Sequence, residues 1–239
     1  MNRKIMLAGR RVVLQPGDIV LSRPEPPSLL SRAIRWRPFS KVKHTNYSHA
    51  MGLASDARTL VSAERGRVRK MDITDYILPK YSIAVIRPQF RVFGDDVAGQ
   101  KVAVRAQVGE ELEKLVGTKY SYLGLAGYAI DTLLSFKFKL FKKRIFSRLL
   151  GRADKKVYCS ELVATAWAEA GVSFLIHGQL KVLAPKYATR PRDIEWTGAV
   201  AHWAVVFKTY RGRAVRNRYD ACLKNPHLDA QFGDDDAYS

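Results

Sequence analysis

The stretch YSHAMGLASDARTLVSAE, residues 47–64, decides the fold of this chain. Residues 47–54 and 59–63 are rich in apolar and β-forming side chains, and the polar turn SDAR at 55–58 separates them. Two short apolar segments joined by a polar turn are typical of a β-hairpin. The stretch therefore predicts two adjacent antiparallel strands.

The register of this hairpin brings two polar side chains together. With Asp56 and Ala57 as the two turn residues, opposed residue numbers add to 113, so Glu64 lies across from His49 on the same face. Cβ atoms of opposed residues are about 5 Å apart, so the carboxylate can orient one imidazole nitrogen and leave the other free. A register shift of one residue would separate the two side chains. The alternative is an ordinary exposed cross-strand pair.

A second segment, VYCSELVATAWAEAG at 157–171, predicts a helix that begins at Cys159 and stops at Gly171. The positive end of a helix lowers the pKa of a thiol, and a nearby imidazolium lowers it further. The alternative is that Cys159 is a small core residue. The apolar face of the predicted helix consists of Cys159, Leu162, Val163, Ala166, Trp167 and Ala170.

A helix-head cysteine that occurs together with a His/Glu hairpin favours a thiol enzyme. A thiolate is the strongest side-chain nucleophile near neutral pH, but it needs an imidazole to take its proton and a third group to orient that imidazole. Cys159, His49 and Glu64 supply these three groups. They are the predicted nucleophile, base and orienting residue.

Five short motifs occur along the chain in the order QPGDIVLS (15–22), SHAMGL (48–53), SAE (62–64), GTKY (117–120) and YCSELV (158–163). They resemble the motifs of the NlpC-type cell-wall cysteine peptidases, which carry Gly-x-x-Tyr, Asp-Cys-Ser, Pro-Gly-Asp-Leu and His-Val-Gly-Ile segments in this order. Here the pieces follow a rotated order, which resembles the circularly permuted papain-like branch with its YiiX-like bacterial proteins and lecithin retinol acyltransferase group. YCSEL is especially similar to the YiiX-like proteins, and the resemblance covers roughly 15–88 and 110–205.

This resemblance implies a permuted papain-like α+β fold, with an antiparallel sheet packed against the helix headed by Cys159. It implies the same three roles as above for Cys159, His49 and Glu64. It further implies that Tyr120, the tyrosine of GTKY, lines the site near the oxyanion. The alternative for Tyr120 is an aromatic residue of the core.

Length and composition are consistent with one catalytic domain. A chain of 239 residues with 47% hydrophobic residues can bury a sizeable core. We assign residues 1–210 to this domain, with a basic, apolar insertion at 120–157, and residues 211–239 to a basic and then acidic tail. The other predicted elements are an arm or edge strand at 1–14, a long loop or short helix at 23–46, strands at 82–88 and 199–210, the latter buried on both faces, and a helix at 94–117.

The sequence gives no indication of a cofactor or a metal. The two cysteines, Cys159 and Cys222, form no CxxC spacing, and the five histidines form no HExxH motif. The N-terminus lacks the apolar stretch of a signal peptide, and no apolar run reaches the ~18 residues that span a membrane. We therefore expect a cytoplasmic protein, unless it uses another export route, and this makes cell-wall peptide a less natural substrate.

Positive charge is the second informative feature. The chain has 41 Lys and Arg against 22 Asp and Glu, a formal net charge of +19, which attracts phosphate-rich partners. Residues 137–152 interleave basic with apolar side chains, a composition typical of helices that lie on anionic membranes. The alternative is a solvated face of the insertion. Because no base-reading motif is present, no specific nucleic-acid partner is expected.

These features together predict a cysteine hydrolase that acts through a thioester on an amide bond of a peptide-like substrate. The first alternative is hydrolysis or transfer of a lipid acyl group at a membrane surface. The second, from another class, is a non-catalytic module that docks on membranes.

Overall fold

The computed structural model describes residues 3–26, 47–64, 66–90, 95–120, 157–172, 194 and 203–215. The strands are β1 (Arg3–Leu7), β2 (Arg10–Leu14), β3 (Ile19–Pro24), β4 (His49–Leu53), β5 (Thr59–Ala63), β6 (Val68–Asp72), β7 (Tyr81–Arg87), β8 (Ala204–Tyr210) and β9 (Arg213–Ala214). The helices are α1 (Val97–Lys114), α2 (Cys159–Glu169) and a short 3₁₀ helix (Ile73–Tyr76).

Antiparallel sheets and helices give the described part of the chain an α+β architecture, as predicted. The larger sheet has seven strands in the order β6-β5-β4-β3-β7-β8-β9, and its neighbouring strands run antiparallel. The predicted arm at 1–14 instead forms a hairpin of its own from β1 and β2. β9 belongs to the segment 211–239, so strand pairing continues beyond residue 210.

The β4–β5 hairpin has the predicted register. Gly52 pairs with Val61 and Leu53 with Leu60, so opposed residue numbers add to 113. The turn is fixed by Asp56. Its Oδ1 accepts hydrogen bonds from the backbone amides of Arg58, at 2.9 Å, and Thr59, at 2.8 Å. An aspartate that satisfies nearby amides in this way is a common turn former.

Different layers cover the two faces of the larger sheet. One face packs against α1 and α2, and the apolar face predicted for α2 lies entirely in this core, with Leu162, Val163 and Ala166 fully buried. The other face packs against the β1–β2 hairpin and the 3₁₀ helix. After α2 ends, Gly171 adopts a φ of 79°, as expected for a glycine that stops a helix. This packing buries Cys159 at the head of α2 beside β4.

A close approach holds α1 against the hairpin turn. A Cβ atom at Gly109 would lie 2.6 Å from the backbone nitrogen of Ser55, so only glycine allows this contact. Glu113 lies one helical turn further on and accepts a hydrogen bond from the same backbone nitrogen at 3.1 Å. It also forms an ion pair with Lys70, at 2.8 Å. α1 lies within the helix predicted at 94–117, and it braces the turn between β4 and β5, the hairpin that positions His49 and Glu64.

The PGD motif forms a turn that anchors β3. The amide of Asp18 donates to the carbonyl of Gln15 at 3.1 Å, and Gly17 has a φ of 73°, as a type II turn requires. The fully buried Asp18 carboxylate accepts two hydrogen bonds from Arg87, at 2.9 and 2.7 Å, and lies 3.4 Å from Arg105. This network ties β3 to β7 and α1.

The late strand differs from its prediction. It begins at Ala204, which is exposed, and its burial on both faces is confined to Phe207, Lys208 and Thr209. β9 pairs with the last two positions of β8, and the amide of Val215 donates to the carbonyl of Lys208 at 3.0 Å. Residues 27–46, 121–156 and 216–239 lie outside the described residues, and with them most of the predicted loop, insertion and tail, and Cys222.

Candidate active site

Cys159 occupies the first position of α2 and is 7% exposed. The residue before it, Tyr158, has extended backbone angles (φ −105°, ψ 171°), and its carbonyl accepts the first hydrogen bond of the helix, from Leu162 at 2.9 Å. The Glu161 carboxylate accepts from the Tyr158 amide at 3.4 Å. These contacts place the thiol at the positive end of the helix, where a thiolate is stabilised.

The surroundings of Cys159 favour the thiolate. Burial alone raises the pKa of the thiol, but the charge of His49, a hydrogen bond with the His49 side chain, and the backbone amides of Ala50 and Ser160 together lower it. Ala50 belongs to β4 and Ser160 to α2, so the thiol lies between the sheet and the helix. A cysteine of lowered pKa beside an imidazole has the character of a reactive residue.

His49 is the first residue of β4, and its side chain is partly buried. Burial lowers the pKa of His49, but the charge of Cys159, a hydrogen bond with Cys159 and the contact with Glu64 raise it to about 10. The ring nitrogen Nε2 lies 2.8 Å from the Ser62 hydroxyl and 3.4 Å from Oε1 of Glu64. Since Nε2 faces these two oxygens, Nδ1 is the nitrogen left for the thiol.

Glu64 follows β5 directly and lies across from His49, at the position that the hairpin register predicts. Its Oε1 accepts hydrogen bonds from the Ser62 hydroxyl at 2.7 Å and from the Tyr76 hydroxyl at 2.8 Å. The contact with His49 is the largest influence on the pKa of Glu64 and lowers it. Burial raises the pKa, but the hydroxyl groups of Ser62 and Tyr76 lower it further, and the resulting pKa of Glu64 is about 2. Glu64 is therefore a carboxylate at neutral pH.

Tyr120 lies close to this cluster through its backbone. It forms a parallel bridge with Val157, two residues before Cys159, and its amide donates to the carbonyl of Gly66 at 3.0 Å. Its side chain is partly buried and packs against the same core as Cys159. Tyr120 is thus next to the chain segments that carry Cys159 and Glu64, and its role at an oxyanion stays a prediction.

Two residues of the cluster were missed by the sequence analysis, Ser62 and Tyr76. Ser62 lies in the SAE motif two residues before Glu64, and this spacing indicates that the two side chains share a face of the strand. Tyr76 comes from the 3₁₀ helix, and sequence spacing alone does not indicate its approach to Glu64. Burial and the charge of Glu64 raise the pKa of Tyr76, so it stays a hydroxyl donor.

Comparison with known proteins adds no family assignment: no protein-family model matches the chain, and no curated protein matches it. Among the helices of the described residues, none is long and apolar enough to cross a membrane.

The chemistry that the site can perform follows from its geometry. A buried thiol of lowered pKa, an imidazole of raised pKa and a carboxylate, linked in this order, form the arrangement of a nucleophile, a proton shuttle and an orienting group.

Proposed function

We propose that the protein is a thiol hydrolase with a permuted papain-like fold, which cleaves an amide bond of a peptide-like substrate. The observation that carries the proposal is the pairing of Cys159, at the head of α2, with His49 on β4, each of which shifts the pKa of the other, and the Glu64 carboxylate 3.4 Å from His49. The motif resemblance and the α+β architecture support the same conclusion. Neither component of the pair needs a cofactor for this chemistry.

The reaction proceeds in two steps. The Cys159 thiolate attacks the substrate carbonyl carbon and forms a C–S bond, the His49 imidazolium gives its proton to the leaving amine, and the C–N bond breaks to leave a thioester. Neutral His49 then takes a proton from water, the hydroxide attacks the thioester, and the C–S bond breaks to release the acid and the thiolate. The amide of Cys159 and Tyr120 are the proposed donors to the oxyanion.

Labelling with a thiol-directed acyl probe, followed by mass spectrometry of the trapped adduct, tests this proposal. Cys159→Ala should abolish labelling and leave the fold intact, because the change removes one sulfur atom from the helix head. Cys222→Ser is the matched control and should label like the wild type. Labelling that survives in Cys159→Ala but is lost in Cys222→Ser would show that Cys222, and not Cys159, is the nucleophile. If neither cysteine of the wild type is labelled, a non-catalytic module is favoured.

A lipid acyl substrate is the second candidate. It is favoured by residues 137–152, in which Lys and Arg alternate with Phe, Leu and Ile and which contain no Asp or Glu. Each Lys or Arg near an anionic leaflet contributes about 1 kcal/mol of attraction, so a segment of this composition can bring the enzyme to a membrane. The mass of the adduct trapped on Cys159 separates the two candidates, because a fatty acyl group and a peptidyl group differ in mass.

A further inference from the structure

The link between His49 and Glu64 runs through a third side chain. Nε2 of His49 and Oε1 of Glu64 are 3.4 Å apart, which is longer than an ordinary hydrogen bond of about 2.7–3.2 Å. The Ser62 hydroxyl oxygen lies 2.8 Å from Nε2 and 2.7 Å from Oε1, so both of its contacts are within the ordinary range. Ser62 is fully buried, with 0% of its surface exposed.

The direction of each hydrogen bond in this chain is fixed by chemistry. An ionised carboxylate can only accept, so Ser62 and Tyr76 must each donate their hydroxyl proton to Glu64. The hydroxyl proton of Ser62 is then committed, and its oxygen can only accept from His49. Nε2 must therefore carry a proton in both the charged and the neutral ring, and Nδ1 is the atom that exchanges a proton with the thiol.

We propose that Ser62 is a positioning residue that fixes the Nε2–H tautomer of His49 and transmits the negative charge of Glu64 to the imidazole ring. This inference rests on the proposed function, because tautomer and charge matter to a reaction only if His49 shuttles protons. Tyr76 has a different part: it holds the carboxylate without touching His49. In this arrangement the orienting unit is the hydroxyl and the carboxylate together.

The test compares Ser62→Ala with Ser82→Ala. Ser82 is a matched control because it is also a buried serine on a strand, 3% exposed, and also donates to a carboxylate, that of Glu25 at 2.8 Å. Acylation by the probe should be slower in Ser62→Ala by about 10- to 100-fold, the factor that one hydrogen bond to a charged group represents. Ser82→Ala should acylate at the wild-type rate, and Ser62→Thr, which keeps the hydroxyl, should recover most of the loss.

A spectroscopic measurement separates positioning from a merely structural role. In Cys159→Ala, the ¹⁵N chemical shifts of the His49 ring at alkaline pH should report the Nε2–H tautomer, and in the double variant with Ser62→Ala they should report a mixture of tautomers. Detection of Nδ1–H in Cys159→Ala would overturn the proposal even if Ser62→Ala did not fold. An unchanged tautomer in the double variant together with a wild-type acylation rate for Ser62→Ala would also overturn it.

Failure of this inference is distinguishable from failure of the proposed function. The pH profile of Cys159 alkylation by iodoacetamide, followed by peptide mass spectrometry, needs no substrate. If wild-type Cys159 alkylates with the pH profile of an ordinary thiol, the proposed function fails. If it alkylates on the acid side of that profile and Ser62→Ala has the same profile and rate as the wild type, the function stands and the role of Ser62 is refuted.

Discussion

Replacing Cys159 by alanine should lower the pKa of His49 strongly. The folded protein raises this pKa from 6.5 to about 10, and the largest raising influences are the charge of Cys159 and the hydrogen bond with it, followed by Glu64. A change of this size represents about 5 kcal/mol in favour of the imidazolium, at about 1.4 kcal/mol for each pKa unit. Removing Cys159 removes more than half of that free energy, and burial, which lowers the pKa of His49, is then opposed by Glu64. The pKa of His49 should therefore fall by about two units or more.

The assay is an NMR titration of the imidazole ring, with the His49→Gln spectrum identifying the His49 signal among the five histidines. Glu64→Gln is the comparison variant and should lower the pKa of His49 by less than Cys159→Ala does, because the influences of Glu64 are the smaller ones. The Cys159–His49 ion pair would be refuted if His49 of the wild type titrated near pH 6.5, or if His49 had the same pKa in Cys159→Ala as in the wild type.

Two further predictions concern stability. Glu64 has a pKa of about 2 in the folded protein against 4.5 in the unfolded chain, so its contribution to stability is present above pH 4.5 and lost as the pH falls towards 2. Between pH 5 and pH 3, the free energy of unfolding in urea should therefore fall less for Glu64→Gln than for the wild type. An equal fall in both proteins would contradict the low pKa. Gly109→Ala should lower the free energy of unfolding by about 1–2 kcal/mol, because overpacking against the Ser55 backbone outweighs the better helix propensity of alanine. The exposed Gln107→Ala on the same helix should stay within about 0.5 kcal/mol of the wild type, and a stable Gly109→Ala would mean that α1 does not lie so close to the turn.

The parts of the fold that sequence predicted correctly are those with local causes. The β4–β5 register follows from a turn that Asp56 stabilises by itself, and the strands on either side are held in place by that turn. The α2 helix follows from its apolar periodicity and from Gly171, and both act within one segment. Because the opposed position of His49 and Glu64 depends only on this hairpin, their proximity was predictable.

The parts that sequence did not predict depend on contacts between distant segments. The role of Ser62 depends on the distance between two atoms across the hairpin, and a residue-level register gives no such distance. Tyr76 reaches Glu64 from a 3₁₀ helix whose position is set by packing on the second face of the sheet. The burial of Lys208 and Thr209 follows from the pairing of β8 with β7 and β9, which strand patterns alone do not specify.

The parallel bridge between Tyr120 and Val157 has a consequence for how this domain can change over evolution. Bridged residues of neighbouring strands lie about 5 Å apart, so Tyr120 and Val157, which flank residues 121–156, are held side by side, with Val157 two residues before Cys159. The cost of closing a loop between fixed ends grows only slowly with its length. The intervening segment can therefore be lengthened, shortened or exchanged as a cassette while Cys159 keeps its position.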